Sequence, residues 1–344
     1  MDIEPNGFNV APETIAQHLD EEVGGIVLTH CFGMPLDVER LDALAAEAGV
    51  PIMYDAAHAF GSTVNGKSIF AYGDISTCSF HATKIFHSVG GGAIFARHPD
   101  TIKQSALLRN FGHSGYEDFA AVGINGKNSE MHAAMGVVNL AYIDDLLEER
   151  KGQTETYTRL LAAERSLTIP EWETPGWNHA FYPVLFENEE STVKVMEFLN
   201  GFGIYPRRYF YPSLHTVNGW EGDCPNSTDV ASRVLCLPLY HGLTTREQAN
   251  DRPLHAAQLT PRLSPRTSRS ITMPRGNPTP QFPLPPSSKS RARSTKKASD
   301  SITGFHSFHA ERPRFELGDQ DTRSQLSRLL HYHSATSPGA RRGR

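Results

Sequence analysis

Apolar and polar positions fall into short periodic blocks over roughly the first 250 residues, and then the period disappears. Ala11-Pro12-Glu13-Thr14-Ile15 reads as a helix start, with Pro and an acid in the first turn. Gly25-Ile26-Val27-Leu28-Thr29-His30 predicts a buried strand. Leu36 to Ala48 has helical period and stops at Gly49, and Pro51-Ile52-Met53-Tyr54 predicts the next strand. From Ile75 to Phe80 the β-branched residues alternate with a period of two, and Ala93-Ile94-Phe95-Ala96 reads as a returning strand. A helix is predicted from Pro99 to Arg109. One long helix is predicted from Ser129-Glu130-Met131 to about Ala163, its charged stretch Asp144 to Lys151 a solvated face. Phe181 to Phe186 and Val234 to Leu239 predict two more strands, with a helix from Val193 to Asn200 between them. Helices alternating with apolar strands imply an α/β fold: a mostly parallel sheet flanked by helices, followed by a smaller α/β domain. The expected boundaries are 1–150 for the large domain and the start of a linking helix, 151–248 for the small domain, and 249–344 for a tail.

Charge sharpens that last boundary. From Asp251 to Arg344 there are about 17 Lys+Arg against about 6 Asp+Glu, so a tail near +11 hides inside a chain of formal charge -5. Rich in Pro, Ser and Arg and poor in aliphatic residues, the tail is expected to be disordered; the abrupt change also fits a shift of reading frame. Its charge invites a nucleic-acid reading, but no folded motif and little aromatic interleaving support one, so nucleic acid is not expected as a partner. Cys31, Cys78, Cys224 and Cys236 show no framework spacing, which suits a reducing cytoplasm. Cys78-x-x-His81 is at most half a metal site, and a small buried strand thiol is the simpler reading. No leader peptide or membrane-spanning stretch is expected.

The candidate chemistry centres on Gly73 to Gly92. Lys84 stands among apolar residues and glycines after the strand that carries Ser79. A buried lysine loses its charge easily and becomes a nucleophilic amine, suited to condensing with an aldehyde cofactor. The alternative is a loop lysine whose stem packs while its ammonium reaches water. Upstream, Asp55 ends a buried strand, where ligand sites form in open α/β sheets. An Asp there can keep the ring nitrogen of pyridoxal 5'-phosphate protonated; it can also cap a helix beginning at Ala56-Ala57. The candidate set is Asp55 for the ring nitrogen, Lys84 for the aldehyde carbon and Ser79 for the phosphate.

Three stretches carry a family resemblance. Tyr54-Asp55-Ala56-Ala57-His58-Ala59-Phe60-Gly61, the run from Gly73-Asp74 to Ser79-Phe80-His81-Ala82-Thr83-Lys84, and Gly123-Ile124-Asn125-Gly126-Lys127-Asn128-Ser129-Glu130-Met131-His132-Ala133-Ala134 resemble the DegT/DnrJ/StrS-type nucleotide-sugar aminotransferases, of fold type I among pyridoxal phosphate enzymes. The resemblance runs from Met1 to about Gln248. It begins inside the family's large domain, so the large domain is expected to be incomplete, without the family's Gly-Thr/Ser phosphate loop and ring-stacking aromatic.

The resemblance implies transfer of an amino group from an amino-acid donor, commonly glutamate, to a nucleotide-linked keto-deoxysugar. It also implies that Lys84 carries the cofactor and moves the proton. His58 stands near the ring oxygen where many relatives have Gln, and Gly90 where close relatives often have Glu. Asn125 matches an asparagine that reaches the phosphate of the neighbouring subunit's cofactor, which implies a homodimer with a shared site. From the residues alone, Asn125 between Gly123 and Gly126 also reads as a left-handed turn. Gly203 to Pro212 resembles the family's sugar-nucleotide segment, with Arg208 as a candidate for the pyrophosphate; a surface edge with packed tyrosines is the other reading. Sugar dehydratases on this fold replace the lysine, so Lys84 favours amino transfer.

Overall fold

The computed structural model describes residues 1–169, 175–217 and 222–250, with no side chain for the last; the expected disordered tail from residue 251 on lies outside the described residues. The elements run α1 (Pro12–Ala16), β1 (Ile26–Thr29), α2 (Val38–Ala48), β2 (Ile52–Asp55), β3 (Thr63–Val64), β4 (Lys67–Ser68), β5 (Ile75–Ser79), β6 (Gly92–Ala96), α3 (Pro99–Leu108) and α4 (Glu130–Leu140). Then come α5 (Ile143–Leu161), β7 (Leu167–Thr168), β8 (Tyr182–Phe186), α6 (Glu189–Gly201), α7 (Pro225–Arg233), β9 (Val234–Leu237) and α8 (Thr245–Asn250).

The first sheet has the order β1-β2-β5-β6. Its first three strands are parallel and β6 returns antiparallel to β5, so the sheet is mostly parallel, as expected. Local chemistry sets the elements around it. Asp37 caps α2 by accepting from Arg40 N at 3.3 Å, and Gly49 ends the helix at φ 69°, a conformation that glycine adopts without strain. Val38, Leu41 and Ala45 lie on the buried face of α2. They join Ile26, Leu28, Ile52, Tyr54 and Phe95 in the first core. One carboxylate organises the edge of this core: Asp42 accepts from Tyr54 Oη at 3.0 Å, Gly73 N at 3.1 Å and Arg97 Nη2 at 3.1 Å.

The second sheet has the order β7-β8-β9 and is antiparallel. Every residue of β8 and β9 is buried, which explains their unbroken apolar sequences. Alternation divides them between two cores. Tyr182, Val184, Phe186, Leu235 and Leu237 pack with Tyr157, Leu161, Val195 and Leu199. Leu185, Val234 and Cys236 pack with Phe32, Met34, Trp177 and Val230, so this second core joins the small sheet to the loop after β1.

Three elements differ from expectation. The single long helix is two, α4 and α5, broken at Ala141-Tyr142. Asn139 Nδ2 donates to His87 O at 2.8 Å, and Ala141 N and Tyr142 N bond three residues back, so α4 ends in a tightened turn anchored to the β5–β6 loop. No Gly or Pro marks the break in sequence. The β3–β4 hairpin was not anticipated, although Asn65 at φ 51° and Gly66 at φ 74° form the left-handed pair that such a turn requires. Helix α7, which opens on Pro225, was also not anticipated.

His30 is fully buried, stacks on Tyr54 at 5.0 Å and accepts from Leu36 N at 3.2 Å. Burial presses its pKa from 6.5 down to about 3. Between those values the unfolded chain takes up a proton that the folded chain refuses, so stability is lost as pH falls below 6.5. Going from about pH 7 to about pH 5 should cost about 2 kcal/mol at this residue. Thermal melts across that range should show the loss, and His30→Asn, which retains an acceptor for Leu36 N, should have a flatter slope.

Candidate active site

The β5–β6 connection, residues 80–91, is a loop closed by its own backbone. Phe80 N donates to Gly91 O at 2.9 Å, Ala82 N to Val89 O at 3.0 Å, Lys84 N to His81 O at 2.9 Å and Ser88 N to Phe80 O at 3.0 Å. Phe86 pins it to the core by stacking on Phe60 at 4.3 Å and meeting Phe80 edge-on at 5.1 Å. Lys84 is thereby fixed just beyond the C-terminal end of β5. Its side chain is half-buried, and burial lowers its pKa against the opposing pull of Asp55.

Asp55 closes β2 in register with Thr29 of β1 and Thr77 of β5. Its Oδ1 accepts from Ala57 N at 3.0 Å, a local turn; no helix follows, so the helix-cap alternative is corrected. His58 stands three residues further on. Its ring lies against Phe181 at 4.8 Å and parallel to Phe210 at 5.6 Å. Burial first, and Lys84 second, lower its pKa to about 4, with Asp55 opposing. His58 Nδ1 is buried with no hydrogen-bond partner. Asp55, His58 and Lys84 thus form one electrostatically coupled group at the C-terminal edge of the sheet. The backbone of His58 is strapped from the second sheet's side: Asn178 Nδ2 donates to His58 O at 2.7 Å and Phe60 O at 2.9 Å. Gly33, at φ 78°, leaves room for that strap, since a Cβ there would lie 2.4 Å from Asn178 Oδ1.

Ser79 ends β5 opposite Gly92, and its Oγ accepts from His81 N at 3.3 Å at the mouth of the loop. Asn125 lies elsewhere. It is exposed, pairs antiparallel with Asn110 and is not left-handed, which corrects the turn reading. Nothing among the described residues joins it to Asp55, His58, Ser79 or Lys84. Cys78 is a buried strand thiol, its pKa raised by burial.

A cavity of about 200 Å³ opens beside Lys84. Its lining includes Thr83, Arg150, Phe181, Arg207 and Tyr209. Arg208 does not line it. Arg208 is tied to Glu189 at 2.8 Å and Ser232 O at 2.9 Å, and lies 3.6 Å over the ring of Tyr211. Its neighbour Arg207 faces the cavity instead. Arg150 was assigned in sequence to a solvated face, and here the structure differs. Asp144, Asp145, Glu148 and Lys151 are exposed, while Arg150 lies on the inner side of α5. Gln153, Thr154 and Tyr157 follow it on the buried side, and that polar spacing was the available signal.

The observations that bear on a cofactor are an amine with lowered proton affinity, an adjacent carboxylate at a strand end and an orphaned imidazole nitrogen above an aromatic wall. These residues fit a group carrying an aldehyde and a basic ring nitrogen. A family model described as the DegT/DnrJ/EryC1/StrS aminotransferase family matches residues 1–250. The chain is similar to the dTDP-4-amino-4,6-dideoxy-D-glucose transaminase of Shigella dysenteriae, 32% identical over 254 residues covering 71% of this chain and 69% of that one. It is also similar to the dTDP-4-dehydro-2,3,6-trideoxy-D-glucose 4-aminotransferase of Saccharopolyspora spinosa, 28% identical over 264 residues covering 72% and 68%. Among solved structures it resembles DesI in the presence of its TDP-sugar product, 29% identical with a TM-score of 0.68, covering 74% of this chain and 67% of that one. With the strand-end acid, the loop lysine and the mostly parallel sheet all in place, the chain belongs to the DegT/DnrJ/EryC1/StrS aminotransferase family.

Proposed function

We propose that the chain binds pyridoxal 5'-phosphate and transfers an amino group from an amino acid, glutamate foremost, to a nucleotide-linked keto-deoxysugar of the dTDP type. The observation that carries this reading is the coupling of Lys84 to Asp55 and His58 beside an open cavity. Asp55 would hold the ring nitrogen, His58 the ring oxygen, Ser79 the phosphate and Lys84 the aldehyde carbon. When bound, the cofactor supplies an electron sink that lets a proton leave the carbon bearing the amine. Lys84 Nζ is the group that takes and returns that proton, and its lowered pKa suits it to both. His58 stays neutral, so it can accept or donate one hydrogen bond without adding charge beside Lys84. Phe181 and Phe210 keep water from one face of His58. The nucleotide sugar is supported by the relatives named above, and the amino transfer by the family itself.

We infer further that two copies share the site. Val122, Ile124, Met131, Val137 and Val138 are between 52% and 97% exposed, an apolar surface on α4 and the segment before it. Asn125 lies in that surface, suited to reach the cofactor phosphate of a second copy. Among the described residues no helix is long and apolar enough to cross a membrane, and a cytoplasmic setting is the reading we adopt.

A titration of the full chain with pyridoxal 5'-phosphate should give a saturable visible absorption band. Borohydride reduction and peptide mapping should then find the adduct on Lys84; scattered labelling would overturn the reading. Asp55→Asn should retain binding while amino transfer falls by about a hundredfold or more. By NMR, His58 should titrate near pH 4 and move up in Lys84→Ala, because a repelling cation is gone, and down in Asp55→Asn. Lys84→Ala and Asn125→Ala chains, each inactive, should regain part of the activity when mixed and re-associated; a mixture that stays inactive would remove the shared site.

A further inference from the structure

The ring of His58 is held by packing alone. Asn178 fixes its backbone carbonyl, but Nδ1 is buried without a partner, and no hydrogen bond among the described residues reaches the imidazole. The rings against it are those of Phe181 and Phe210, at 4.8 and 5.6 Å. Neither is a fixed point by itself, since Phe181 is half-buried and Phe210 is 48% exposed. Behind both stands Phe32, which is 1% exposed. Its ring lies 5.5 Å from that of Phe181 and 5.7 Å from that of Phe210, tilted only 14° from the latter. Phe8 meets it nearly at a right angle, at 4.9 Å.

The backbone of Phe32 is as unusual as its surroundings. It takes φ 57° and ψ 16°, a left-handed conformation that glycine adopts freely and a residue with a Cβ does not. Hydrogen bonds on both sides hold it there: Gly33 N donates to His30 O at 3.1 Å, Met34 N to Cys31 O at 3.0 Å, and Trp177 Nε1 to Phe32 O at 2.9 Å. A glycine would make this turn without strain, so the turn alone does not account for a phenylalanine. Strain of this kind persists only where the surrounding structure enforces it, and it clusters at functional sites. What the side chain adds is a flat ring between the loop after β1 and the small sheet. We propose that Phe32 is a positioning residue for His58: its ring sets the wall of Phe181 and Phe210, and that wall sets the distance and tilt of the imidazole beside Lys84. Its bearing on amino transfer rests on the function proposed above; the placement of His58 does not.

The test is the titration of His58, followed by NMR in the full chain labelled at histidine. In Phe32→Leu, which keeps apolar bulk and loses the flat ring, His58 should titrate above about pH 5 as water reaches the imidazole. Phe210→Leu, at a half-exposed position, should move it the same way. In the Phe210→Leu chain, adding Phe32→Leu should move His58 less than it does alone, because both act through one wall. Val230→Ala opens a cavity in the same core from α7 and should lower the melting temperature while leaving the His58 titration at the parent value. The proposal is overturned if His58 titrates in Phe32→Leu as in the parent, if Val230→Ala moves it as far, or if the effects of Phe32→Leu and Phe210→Leu simply add. A Phe32→Leu chain that does not fold would assign the residue to folding and overturn the proposal too. The Lys84 adduct is scored separately: an adduct with His58 unmoved in Phe32→Leu removes only this role, and a moved His58 without an adduct removes only the cofactor.

Discussion

Half-burying an ammonium group is unfavourable unless a negative charge stands near it or the proton leaves, and both outcomes are held open at Lys84. Burial pulls its pKa down while Asp55 pulls it up. That balance depends on position, and the surrounding structure fixes position from both sides. The parallel register of β1, β2 and β5 sets Asp55, and the self-bonded loop with its Phe86 anchor sets Lys84. His58 completes the arrangement by staying neutral, since a protonated imidazole there would drive the amine further toward deprotonation and leave two cations against one acid.

The site draws on parts of the chain far apart in sequence. The cavity wall combines the loop after β5, Arg150 of α5, the residues just before β8, the segment after α6, and the end of β9 with the residues that follow it. Each part is held by its own core, and β8 belongs to two of them because its alternating side chains enter opposite faces of the small sheet. The result is a pocket whose charge is set by geometry rather than composition: the chain as a whole is acidic, yet this surface is cationic.

Much of the scaffold was legible in sequence because it rests on strong local signals. The Gly49 stop, the helix start at Ser129-Glu130-Met131, the period-two run through Ser79 and the unbroken apolar strands of the small sheet all predict what forms. The positions of Asp55 at a strand end and of Lys84 in the loop after β5 were legible because a strand-end acid and a lysine among glycines are chemically conspicuous. The features that were not legible depend on contacts remote in sequence. The break between α4 and α5 is set by Asn139 reaching His87, 52 residues away. The inward turn of Arg150 depends on which face of α5 meets the small sheet, and the charged residues around it, Asp144, Asp145, Glu148, Glu149 and Lys151, conceal it. Arg207 and Arg208 are neighbours in the segment after α6 with opposite fates, Arg208 being held by Glu189 at the start of that helix.

The strap formed by Trp177 and Asn178 has a mechanical meaning. Trp177 Nε1 holds Phe32 O at 2.9 Å, and Asn178 holds His58 O and Phe60 O, just before the chain enters β8. The chain entering the small sheet is therefore bonded directly to the backbone that carries the imidazole of His58. Substitutions in β8 or β9 that widen the cavity for a bulkier ligand will also shift the ring of His58 beside Lys84, so the width of the pocket and the electrostatics around that amine will tend to change together.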